Sequence, residues 1–174
     1  ENIRNIATIG RISKSKNTAS IVKAFILLNR VDLFLYVVGD SDNSKYLEDV
    51  LKIIPECLRD NVIFTGVIKY KDLPKFYNDI DLTINLGGTG SLDKAIVESM
   101  SMGIPVVTSN ESAKSIFQHL GNYGVFLLKD NKNLHSKLTE IINNNQYVNH
   151  EKIREEVIIN HSLENLSKKI LAFF

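Results

Sequence analysis

Short apolar, β-branched runs alternate with longer runs of helical spacing along this chain, and that alternation constrains its fold more than any other feature. The apolar runs are Asn5–Gly10, Leu33–Val38, Val62–Thr65, Leu82–Leu86, Val106–Ser109 and Val125–Leu128. Several are apolar on consecutive residues rather than on alternate ones, the pattern of strands covered on both faces. Between them the spacing predicts helices over Thr18–Asn29, Lys45–Ile54, Asp72–Asn78, Leu92–Met102, Ser112–Leu120 and Leu134–Asn144. Asn43 and Ser44 are capping residue types before the second helix, and Pro74 falls in the first turn of the third, where proline is tolerated. Strand–helix alternation of this kind implies right-handed crossovers and a doubly wound parallel sheet. The tail, Glu151–Phe174, breaks the pattern and reads as two helices split around Asn160-His161-Ser162, with an apolar end at Ile170, Leu171, Phe173 and Phe174.

With 174 residues the chain is long enough for one domain, and no Pro-rich, Gly/Ser-rich or low-complexity stretch marks a boundary inside 1–174. A net charge of +1 supplies no basic field for nucleic acid. The single cysteine, Cys57, excludes an internal disulfide; it is expected as a buried or half-buried thiol in a reduced, cytoplasmic setting. No apolar run approaches the ~20 residues of a membrane-spanning helix. His119, His135, His150 and His161 are scattered through helical or terminal segments, so no metal site is expected. Strand-like sequence begins within a few residues of Glu1, and the expectation is a piece of a larger protein.

In an open parallel sheet, ligands bind beyond the carboxyl ends of the strands. The loops that follow the strands therefore carry the candidates. "IGRISKSKN" (9–17) places Arg11 and Lys16 around a short loop beside a helix start. Cations next to a helix N-terminus make an anion site, although the same spacing serves a solvated loop. "VVGDSDNS" (37–44) holds Asp40, which at such a turn is more often a turn or capping residue than a ligand. "NVIFTGVIKYKDLPKFYNDID" (61–81) carries Tyr70, which could stack on a base, although an aromatic at such a place more often packs in the core or at its rim. "GGTGSLDKAIVESMSMGIPVV" (87–107) spends three glycines directly after an apolar run and then starts a helix near Ser91-Leu92. Glycines there let backbone approach a ligand closely. Glu98, between Val97 and Met100, needs hydrogen-bond partners, either sugar hydroxyls or a neighbouring backbone group.

Taken in order, "IGRISKSKN", "LYVVGDSD", "NVIFTGVIKYKDLPKFYNDIDLTINL" and "GSLDKAIVESMSMGIPVVTSN" resemble the C-terminal, donor-binding domain of the retaining GT-B glycosyltransferases of family 4, the glycosyl transferases group 1. The resemblance covers nearly the whole chain, and its last phrase is the most specific. It implies a Rossmann-like three-layer α/β/α domain with a six-stranded parallel sheet, the C-terminal half of a GT-B fold. It also implies a retaining hexosyltransferase whose substrate, rather than cofactor, is a nucleotide-diphospho-sugar such as a UDP- or GDP-sugar, with no metal. The partners implied are an N-terminal acceptor-binding domain of the same protein and a glycan or lipid-linked acceptor, with peripheral membrane attachment through that missing domain. By position, Arg11 and Lys16 match the family's diphosphate-gripping pair, which gives them the catalytic role of stabilising the leaving group. Ser91 and Leu92 match amides that meet the phosphates, Glu98 matches the ribose-binding second glutamate of E-x7-E, and Ile68 lies where main-chain groups meet the base.

One position departs from the pattern. The first glutamate of E-x7-E falls on Gly90, where the family faces the transferred sugar. The sugar contact then passes to Asp93, Lys94 or the amides of Gly90 and Ser91. Two other readings stay open: a glycosyltransferase-like binding module without transfer activity, and a GT-B-fold sugar-nucleotide epimerase.

Overall fold

A computed structural model describes residues 3–88, 90–120, 123–144 and 148–162. Strands β1 (Asn5–Ile9), β2 (Phe34–Val38), β3 (Val62–Gly66), β4 (Leu82–Asn85), β5 (Val106–Thr108) and β6 (Val125–Leu127) form one parallel sheet in the order β3-β2-β1-β4-β5-β6. Helices α1 (Thr18–Leu28), α2 (Ser44–Lys52), α3 (Leu73–Tyr77), α4 (Lys94–Ser101), α5 (Lys114–Leu120), α6 (Leu134–Asn143) and α7 (His150–Glu156) connect and cover it. The expected Rossmann-like three-layer α/β/α arrangement is the one observed.

Consecutive apolar residues in the strands divide between the two faces. Ile6 packs with α1, α2 and α6 through Ile21, Phe25, Val50 and Leu138, while its neighbour Ala7 packs on the other face with Tyr77 and Ile104. Val107 and Phe126 join the first layer. Val106 and Val125 join Ile96, Met100, Ile116 and Ile153 of α4, α5 and α7 on the second. A side-chain period of two, with both faces buried, is why these runs lack polar alternation.

Element boundaries depart from expectation at a few places. The second helix starts one residue early because the Asn43 side chain accepts from Tyr46 N at 2.9 Å. The fourth starts at Lys94 rather than near Ser91-Leu92, because Asp93 is its N-cap and accepts from Ala95 N at 3.2 Å. Glu98 therefore lies little more than one turn into α4. Cys57 is exposed rather than buried; in the short helical segment Glu56–Asn61, Leu58 takes the inward position at 2% exposure. The tail continues from α7 through a π-helical turn, Val157–His161. The second expected tail helix and the apolar end at Phe173 and Phe174 lie outside the described residues.

The histidines of this region serve the fold. The buried Glu156 carboxylate faces His119 Nδ1 at 3.1 Å and His161 Nε2 at 3.7 Å, and His150 Nδ1 lies 2.8 Å from Gly103 O.

Candidate nucleotide-sugar site at the switch point

Strand order reverses between β1 and β4, so the connections leaving these two strands depart to opposite faces and open a crevice at their carboxyl ends. Three loops meet there. Gly39, after β2, sits at φ 140, and a Cβ on it would fall 1.9 Å from Gly10 O. The β1 and β2 loops touch through that contact and through Ile12 N donating to Asp40 O at 2.8 Å. Asn17, in the left-handed region at φ 54, ends the β1 loop and donates its Nδ2 to Leu86 O at 3.0 Å. This bond ties the start of α1 to the end of β4.

Lys16 lies inside this junction. Its Nζ donates to the Asp93 carboxylate, whose other oxygen caps α4. Burial pushes the Asp93 carboxyl up, but hydrogen bonds from Lys16, Asn85 and Ala95 N more than offset it and hold it below the ordinary carboxylate value. Backbone packs directly on the pair: a Cβ at Gly87 would lie 3.1 Å from Lys16 Nζ and 3.3 Å from Asp93 Oδ2. Arg11 lines the same cavity as Lys16, Asn85 and Leu86. Its guanidinium points outward and meets Asp42 at 2.8 Å. Both of those side chains are exposed, and a surface pair of this kind contributes ~0–1 kcal/mol, so Arg11 is readily redirected to another anion.

The backbone of the glycine loop is held from the β5 side through its carbonyls. The Gly90 carbonyl accepts from Ser112 Oγ at 3.2 Å, and the Ser91 carbonyl accepts from Asn110 Nδ2 at 2.8 Å. In a trans peptide the next N–H points the opposite way. The amides of Ser91 and Leu92 are thus turned from the β5 side and donate to no acceptor among the described residues. Gly90 is exposed at φ 69. A Cβ there would meet nothing within 4 Å, but the backbone conformation itself disfavours a glutamate.

Glu98 is half-buried beside a cleft of about 110 Å³, lined by Tyr70, Leu73, Pro74, Tyr77, Ser101 and Met102. Its carboxylate meets no hydrogen-bond donor among the described residues, and Ser101 Oγ donates to its carbonyl instead. Burial pushes the Glu98 carboxyl up, Lys94 one turn earlier pulls it down, and Asp93 adds to the rise. Tyr70 is exposed, with Lys94 Nζ 6.0 Å from its ring centroid. Ile68 is half-buried two residues earlier, so from this connector Tyr70 is the residue that lines the cleft. Among the described residues the buried Tyr77 hydroxyl makes no hydrogen bond within normal distance, while Ser99 Oγ nearby donates to Ala95 O at 2.7 Å. Burial pushes the Tyr77 phenol up to about 12.

The structure therefore pairs Lys16 with Asp93, the N-cap of α4, in this crevice. Arg11 stands at its rim, and Glu98 lies on the next turn of the same helix. Sequence reasoning missed the supporting asparagines. Asn85 is buried in β4, accepts from Gly87 N at 3.3 Å and bonds Asp93. Asn110 is buried after β5 and fixes the glycine loop. A polar residue inside the apolar run "LTINL" was the available signal for Asn85. Among the described residues no helix is long and apolar enough to cross a membrane.

A family model described as glycosyl transferases group 1 matches residues 3–144. A GDP-mannose-dependent alpha-mannosyltransferase of Corynebacterium glutamicum is 26% identical over 102 residues, which cover 59% of this chain and 22% of that protein. The matched segment thus spans under a quarter of that relative's length. Among solved structures, the C-terminal domain of a glycosyl transferase group 1 family protein (LpcC) from Francisella tularensis aligns with a TM-score of 0.80 at 20% identity, covering 92% of this chain and 87% of that one. Anabaena Alr3699/HepE, solved in complex with UDP, aligns with a TM-score of 0.84 at 18% identity, covering 99% of this chain and 48% of that one. At these identities the structural matches establish the fold.

Proposed function

Because the chain belongs to the glycosyl transferases group 1 family, we propose that its switch-point crevice holds the donor of a retaining glycosyltransferase, a nucleotide-diphospho-sugar. The observation that carries this reading is the pairing of Lys16 with Asp93, the N-cap of α4, directly after Ser91 and Leu92, whose amides donate to no acceptor among the described residues. In the transfer, the acceptor oxygen bonds the anomeric carbon on the face the diphosphate leaves, and its proton passes to the departing phosphate oxygen. The bond from that carbon to the diphosphate oxygen breaks, and the diphosphate leaves with the electron pair. Charge grows on the leaving group, and an ammonium, a mobile guanidinium and fixed amides stabilise it as it grows. Glu98, with a half-buried carboxylate and no protein donor, suits the ribose hydroxyls. Tyr70 and the cleft beside Glu98 suit the base.

The chain then forms the donor-binding domain of a longer protein, and the acceptor, a glycan or a lipid-linked acceptor, sits against a separate N-terminal domain. The short coverage of the mannosyltransferase supports this arrangement. So does the match of the whole chain to about half of the UDP-bound neighbour. A binding module without transfer activity is the second reading, favoured by Gly90 where the family resemblance places a glutamate.

Calorimetry with nucleoside diphosphates tests the donor site. Lys16→Ala and Arg11→Ala are each expected to weaken binding of UDP or GDP by ~1.5–3 kcal/mol while leaving the bare nucleoside nearly unaffected. Equal losses for nucleoside and diphosphate would remove both residues from the phosphate site.

A further inference from the structure

The partner of Lys16 is an anion supplied by the chain itself. The Asp93 side chain is 13% exposed and held from two sides, with one oxygen on Ala95 N and the other on Lys16 Nζ. It cannot swing away without uncapping α4, and the Gly87 backbone packs over the pair. A diphosphate that reaches Lys16 therefore arrives beside a fixed carboxylate. An ammonium has three protons and can hold both anions at once. The two anions then face each other at a site where solvent screens poorly.

That opposition grows with the charge of the ligand. In a nucleotide-diphospho-sugar both phosphates are esterified at their outer oxygens, and each carries one negative charge. In the free nucleoside diphosphate the terminal phosphate carries most of a second charge at neutral pH, since its last proton leaves near pH ~6. We propose that Asp93 determines specificity at the donor site, favouring the intact nucleotide-diphospho-sugar over the free nucleoside diphosphate by charge opposition across Lys16. The inference rests on the donor-site reading. It gives Asp93 the opposite sign from a residue that merely holds Lys16 in place: removing its charge tightens diphosphate binding.

The test is calorimetry on the wild-type protein, Asp93→Asn, Asp93→Ser and Lys16→Met. The ligands are UDP, GDP, ADP, CDP and dTDP, each alone and as its glucose or mannose conjugate. Asn and Ser both cap helices, so α4 keeps its N-terminus while the charge is lost. The expected result is about tenfold tighter binding of the nucleoside diphosphate by both Asp93 variants, and about threefold or less for the sugar conjugate. Lys16→Met weakens both. Looser binding of both ligands by the Asp93 variants would show that the carboxylate only positions Lys16 and would overturn the proposal. An equal or absent change for the two ligands overturns it as well. Binding that responds to Lys16 but not to Asp93 leaves the donor site standing and removes this role. No binding of any nucleotide by the wild-type protein overturns both.

Discussion

Glu98 bears at once on the fold and on the proposed nucleotide site. Its carboxyl is raised chiefly by burial, so the folded chain holds that proton more tightly than the unfolded chain does. The contribution of this group to stability is complete below the ordinary glutamate value of 4.5 and declines as pH rises through the raised folded value. At neutral pH the ionised group is a strain, which ribose hydroxyls would relieve under the proposed function. Glu98→Gln is therefore expected to leave the melting temperature unchanged or slightly raised and to weaken nucleotide binding by ~1–3 kcal/mol. The stability difference between Glu98→Gln and wild type should widen in favour of the variant as pH climbs above 4.5. Melting temperature and affinity, measured on the same preparation across pH, check this. A destabilised variant with intact affinity would make Glu98 a structural group.

The loops that leave β1, β2 and β4 are built as a unit, and their glycines are not interchangeable. Gly39 sits at φ 140, with Gly10 O 1.9 Å from where a Cβ would stand, and the obstacle is backbone rather than a flexible side-chain end. Gly39→Ala must push the β1 loop away from the β2 loop, and with it Arg11 and Lys16. The expected cost is ~2–4 kcal/mol of stability, read as a lower denaturation midpoint, together with weaker nucleotide binding. Gly66, at the end of β3, is a control in the same layer. It also has a positive φ, but a Cβ there meets nothing within 4 Å. Gly66→Ala should cost ~1 kcal/mol from backbone strain and leave the site intact. Similar losses at the two positions would mean that loop contact does not hold the site together.

At the scale of the molecule, one crevice at the reversal of strand order brings together Lys16 and Asp93, 77 residues apart in sequence. The chain covers 22% of one curated relative and 48% of the UDP-bound structural neighbour. A protein of these 174 residues alone is therefore expected to bind a nucleoside diphosphate and to transfer no sugar. Measurable transfer to any acceptor by the purified chain would show that the acceptor side of the cleft is not needed.

The order of strands and helices, their class and most of their extents follow from local pattern. Burial on both faces writes itself into consecutive apolar residues such as Ile6-Ala7 and Val106-Val107, and helix starts such as Asn43 carry their own capping chemistry. Gly90 in place of a glutamate, and the candidate residues Arg11, Lys16, Ser91 and Glu98, were likewise legible, because motif spacing is a property of the chain. Which of these meet was not. Sequence placed the start of α4 at Ser91-Leu92, but the Asp93 carboxylate, engaged by Lys16 from 77 residues away, caps the helix two residues later. The outward turn of Arg11 to Asp42, the tether from Asn17 to Leu86 and the grip of Asn110 on the glycine loop are likewise long-range contacts. An ionic or hydrogen-bonding side chain takes whatever partner the packed sheet brings within about 3 Å, and that choice is made when the crossovers close.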